Sequence, residues 1–133
     1  MTPSRPNWPA MYIGDPWMPG EHDCWHFARR VWREVFGLVV PVVEVDAINR
    51  MAATRAFSSH PEVGAWQRLN APEEGAGVLL GKSARPAHVG VWTMQDGGGL
   101  VHCVEGAGVV FQSPAALAAS GWRVLGYYLR AAG

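Results

Sequence analysis

An α+β fold, with helices leading and a small antiparallel sheet following, is the architecture this chain predicts, and three observations predict it. Apolar residues from Cys24 to Phe36 recur with a helical period, the period shortens to that of strands from Val78 onward, and glycine-rich turns separate the strand-like runs closely enough for hairpins. A length of 133 residues, 49% of them hydrophobic and 17% charged, suits one globular domain and leaves no room for two.

The elements follow in order. The segment up to about Gly20 carries Pro3, Pro6, Pro9, Pro16 and Pro19 together with Trp8, Tyr12 and Trp17, which predicts an extended arm with aromatic anchors. We therefore divide the chain into an arm over residues 1–20 and a folded domain over 21–133. Cys24, Phe27, Ala28, Val31, Trp32, Val35 and Phe36 form one helical stripe, and Arg29, Arg30, Arg33 and Glu34 fall on the opposite face. Asp23 is placed to cap that helix by accepting free N–H groups of its first turn, and Gly37 to end it. A second helix is predicted from Val45 to about Phe57, and the stretch from Ser58 to Gly77, punctuated by Pro61, Gly64, Pro72 and Gly75, as loop. Strands are expected over 78–80, 88–93, 100–104, 109–111 and 122–130, with Asp96-Gly97-Gly98-Gly99 as the clearest turn. Ser113 and Pro114 open a short helix as cap and first helical residue.

Several function classes are disfavoured at once. Eleven basic residues balance eleven acidic ones, so no global field draws the chain to nucleic acid or to an anionic membrane. The longest apolar run, residues 37–43, is far short of the roughly 20 residues that span a bilayer and contains Pro41, so no membrane insertion is expected. No apolar stretch stands behind Arg5, and no secretory signal is predicted. Two cysteines, Cys24 and Cys103, are too few for a disulfide-built scaffold of this size, which directs attention to their chemistry.

A thiol is a strong nucleophile only as thiolate, and a helix N-terminus favours that form; Cys24 has this placement, although it also reads as the first residue of the apolar stripe. His88 and His102 lie on strands that a hairpin across the glycine turn would pair. Even-numbered residues of both strands then share a face, with Gly90 leaving space for the start of the cysteine helix. A nucleophile, a base and a group that holds the base in one tautomer are what acyl transfer requires. Zinc is the rival, because Cys24, His26, His88, His102 and Cys103 are all ligand types; yet no CxxC or HxxxH spacing occurs, and His102 and Cys103 should point to opposite faces. No metal or cofactor is expected. Glu105 is a rival orienting group, with a parity that sets it opposite His102.

The string Gly14-Asp15-Pro16-Trp17-Met18-Pro19-Gly20-Glu21-His22-Asp23-Cys24-Trp25-His26-Phe27-Ala28-Arg29, followed by His88-Val89-Gly90-Val91-Trp92 and Leu100-Val101-His102, resembles the NlpC/P60 cysteine peptidases. It is similar in particular to the branch found in tail tips of tailed phages and gene transfer agents, whose pattern the stretch from Val104 to Gln112 also resembles. The likeness runs from about residue 11 to 130. It implies a minimal papain-like fold, a cysteine peptidase domain over 21–133, and hydrolysis of an amide in peptidoglycan stem peptides without a cofactor. Carried over by motif, Cys24 is the nucleophile, His88 the base and His102 its orienting residue, with Trp17, Asp23 and Trp25 on the substrate side. The implied setting is a virion tail tip, assembled in the cytoplasm without a signal peptide, docked on hub or baseplate proteins and acting in the periplasm or cell wall. The chain departs from the pattern at Trp25-His26, where many members have a small pair, at Trp17, where a tyrosine is usual, and at Gly75-Ala76-Gly77, which lacks the usual aspartate. These departures, with seven tryptophans, leave a second reading: a tail-tip structural component that keeps the peptidase fold with little activity.

Overall fold

A computed structural model describes residues 3–18, 23–40 and 65–130. The helix expected from Val45 to about Phe57 lies outside the described residues. The cysteine helix, α1, spans Cys24–Phe36. Asp23 caps it in extended conformation, its carboxylate accepting from the His26 N–H at 3.0 Å, and Gly37 ends it in the left-handed region at φ 66°. Its buried stripe comprises Cys24, Phe27, Ala28, Val31, Trp32 and Val35, with Trp25 also buried beside it.

Among the described residues six strands form one antiparallel sheet: β1 (Trp66–Leu69), β2 (Gly77–Gly81), β3 (His88–Thr93), β4 (Gly99–Val104), β5 (Gly108–Gln112) and β6 (Arg123–Arg130), in the spatial order β1-β6-β2-β3-β4-β5. The predicted hairpin between β3 and β4 is present. Its turn is a short 3-10 segment over Gln95–Gly97, with Asp96, Gly97 and Gly98 all at positive φ, the conformation for which glycine is suited. A second helix, α2, covers Pro114–Ala119 behind the Ser113 cap.

Two expectations are corrected. Residues 66–69, predicted as loop, form β1, because the long strand β6 offers them an edge: Trp66 pairs with Arg130 and Leu69 with Tyr127. Four residues with two exposed in the middle carry too little alternation to announce a strand. The N-terminal arm is not simply extended. Trp8–Met11 forms a 3-10 turn with proline near its start, Trp8 and Tyr12 are wholly buried, and backbone bonds run from Ser4 N–H to Val35 and from Gly14 N–H to Val109. Trp8 Nε1 donates to Glu74 at 2.8 Å and Tyr12 Oη to Glu34 at 2.7 Å, so the anchors are polar as well as apolar.

The sheet has two different faces, and strand parity assigns them. Val89, Val91, Val101, Cys103 and Val109 pack in one cluster with α1, Trp8 and Tyr12. On the other side Val78, Leu80, Trp92 and Leu100 pack with Leu117 of α2, Trp122 and Tyr127. No helix among the described residues is long and apolar enough to cross a membrane.

Candidate active site

The β3–β4 register, with Val91 opposite Val101 and Trp92 opposite Leu100, places the even-numbered residues of both strands on the α2 side of the sheet. His88 and His102 meet there: His88 Nε2 lies 2.8 Å from His102 Nδ1. Beyond them, His102 Nε2 lies 2.7 Å from Gln112 Oε1, and Gln112 Nε2 donates to Ser120 Oγ at 2.9 Å. The chain of bonds has a direction. With the Gln112 amide donating to Ser120, its oxygen accepts from His102 Nε2–H; His102 Nδ1 is then an acceptor for His88 Nε2–H, and the basic lone pair of His88 is left on Nδ1. Aromatic contacts hold the pair in place. Trp122 stacks on His88 at 4.6 Å and 20° and meets His102 edge-on, while Lys82 Nζ sits 3.9 Å over the Trp122 ring and donates to the Ser120 carbonyl at 2.7 Å.

Electrostatics keep both imidazoles neutral near pH 7. Burial, then the charges that His102 and Lys82 would carry, hold His88 well below the ordinary histidine range. His102 is pushed down to about 4, by burial first and by Lys82 as well, against the hydrogen bond to Gln112 that favours its protonated form.

Cys24 opens α1, as its spacing predicts, and lies in the α1-face cluster with Val89 and Cys103. Its thiol is not acidified. Burial pushes it up to about 12; the Val89 and Trp25 backbone N–H groups pull the other way, and nearby Asp23 and Cys103 raise it further. The sequence-based expectation of a lowered value omitted this desolvation, which outweighs what a helix start supplies. The point of entry is also corrected. A Cβ on Gly90 would fall 2.7 Å from the Leu100 side chain and 2.9 Å from the His102 Cβ, so the space beside Gly90 is already filled. The helix packs instead on the opposite face, and Cys24 reaches β3 at the Val89 N–H, one residue from His88.

The three residues expected on the substrate side divide. Asp23 is buried, its Oδ1 shared between the His26 N–H and the His26 ring at 2.8 Å, and Trp25 is buried edge-on against Trp32 at 5.8 Å. Both are packed into the helix start. Trp17 is half-buried against the α1-face cluster and keeps some surface. Glu105 stands in the exposed turn between β4 and β5.

Sequence reasoning did not single out Gln112, Ser120, Trp122 or Lys82. Gln112 shares a face with His102 only once the register of Leu100 opposite Gln112 is known; Ser120 arrives from the end of α2, and Lys82 and Trp122 flank the one end of the β2–β6 pairing where Gly81 faces Arg123. Comparison with protein-family models and with curated proteins finds no match for the chain.

Proposed function

We propose that this chain is a cysteine peptidase of the NlpC/P60 type, hydrolysing an amide bond in peptidoglycan stem peptides as part of a phage-like tail tip. The observation that carries the reading is the directed chain from Gln112 through His102 to His88, which leaves a neutral imidazole with its lone pair on Nδ1. Cys24 is bonded at the next residue, Val89, whose side chain packs on the opposite face of β3 from His88, so the mechanism requires the thiol to reach Nδ1 around the start of that strand, where His88 is the first residue. In this reading His88 Nδ1 takes the thiol proton as the sulfur attacks the carbonyl carbon. Because the thiol is held neutral at rest, proton removal accompanies attack rather than preceding it. His102 accepts the Nε2–H of the resulting imidazolium and steadies it; His88 then protonates the leaving amine, and water releases the acyl group by the same route. Backbone N–H groups beside Cys24 would meet the oxyanion. Placement at the tail tip, with hub or baseplate proteins as partners and the cell wall as the site of action, rests on motif resemblance alone.

One observation favours a second reading. A thiol buried at 5% exposure and raised to about 12 suits a structural tail component that has kept the fold. Purified peptidoglycan separates the two. Release of soluble peptides by the wild-type chain, abolished in Cys24→Ala, supports the peptidase, and mass spectrometry of the fragments names the bond. No release, together with Cys24 reacting with a thiol probe no faster than free cysteine, transfers the role to structure.

A further inference from the structure

The cation beside the histidine pair has a geometry of its own. Lys82 is exposed, yet its ammonium is held at two points: one N–H is given to the Ser120 carbonyl at 2.7 Å, and the charge rests 3.9 Å over the Trp122 ring. A lysine on the surface ordinarily keeps its rotamer freedom, so a tethered one is a pre-placed charge. Trp122 carries that charge to the site, since the same ring stacks on His88. The ammonium is therefore no farther from His88 than roughly the reach of two or three extended residues. Two of its three donors remain after the bond to Ser120. Among the described residues the ion pairs join Asp15, Asp23 and Glu34 to Arg30, Arg33 and His26, and none involves Lys82. No carboxylate among the described residues is therefore within ion-pair distance of its ammonium.

We propose that Lys82 is the carboxylate-binding residue of this site, selecting acidic peptides that carry a free carboxylate within about two residues of the scissile amide. The proposal deepens the peptidase reading and rests on it for the word scissile. Binding follows from the geometry alone. A carboxylate docking on Lys82 gains a charge-assisted hydrogen bond at a cation already ordered against an apolar ring, while the bond to the Ser120 carbonyl is kept. Trp122 acts as the shelf that fixes both the ammonium and the base, so recognition and catalysis share one side chain.

The test uses a soluble stem peptide with free carboxyls and the same peptide with its carboxyls amidated, each offered to the wild-type chain, Lys82→Met and Lys82→Arg. Methionine keeps an apolar stem over Trp122 and removes only the charge. Calorimetric binding of the free-carboxyl peptide is expected to weaken about five- to tenfold in Lys82→Met and to recover in Lys82→Arg, with the amidated peptide bound equally by all three. In hydrolysis the same loss should fall on KM, with kcat within about twofold. Equal binding of the free-carboxyl peptide by wild type and Lys82→Met, or an equal loss on both peptides, overturns the proposal. Binding that discriminates without any hydrolysis upholds Lys82 and removes the peptidase reading, so the two fail separately.

Discussion

Gln112 does at the residue scale what an orienting carboxylate does elsewhere, and without a charge. Its oxygen fixes the His102 tautomer, which in turn fixes the tautomer of His88. Gln112→Leu leaves His102 Nε2–H unpaired in a buried site; kcat of the proposed peptide-releasing reaction should fall about ten- to a hundredfold, with KM little changed. Gln112→Glu offers the same acceptor with a negative charge, which favours protonated imidazole. The acid limb of its kcat/KM profile should therefore move to higher pH, since the base stays protonated further up the scale. An unmoved limb would mean that His88 does not titrate with the reaction. None of this could be read along the chain, because Gln112 lies ten residues from His102 and the bond depends on side-chain reach across two strands.

At the scale of elements, the β3–β4 hairpin was the most legible part of the molecule. Alternation and a glycine turn set its register, and that register brings His88 and His102 together as expected. The same parity argument misjudged the space at Gly90, where Leu100 and His102 close in from the neighbouring strand. Gly90→Ala forces a Cβ to within 2.7 Å of Leu100 and should cost about 1–3 kcal/mol, read as a lowered urea midpoint with an unchanged slope. A wild-type midpoint in this variant would show that β4 can back away freely. Strand β1 was missed for the converse reason: it owes its conformation to β6 rather than to its own four residues.

For the whole molecule, burying two neutral imidazoles beneath α2 and Trp122 ties stability to pH. His102 has a folded value of about 4 against 6.5 for the ordinary group. Between those values the unfolded chain binds more protons than the folded one, so stability is complete above about pH 6.5 and is lost as pH falls through 4. For His102 alone the loss is on the order of 3 kcal/mol, and His88 adds to it in the same direction. Urea denaturation at pH 7.5, 5.5 and 4 should show this slope in the wild-type chain and a shallower one in His102→Leu. Identical slopes would remove the buried neutral pair as its source.

What the sequence determined by itself is local: the cap, stripe and left-handed end of α1, the strands β2 to β6 to within a residue or two, the Ser113–Pro114 helix start, and the pairing of the two histidines. Each follows from periods and capping chemistry that act over a few residues. Tertiary structure alone decided which face each group occupies and how dry it is there. It set Cys24 against Val89 on the α1 side and the histidines on the α2 side, drew Gln112, Trp122 and Lys82 around them, and buried Asp23 and Trp25. The physical reason is that desolvation and side-chain contact depend on what the rest of the chain lays over a residue. A helix start that would acidify an open thiol therefore surrounds one raised to about 12.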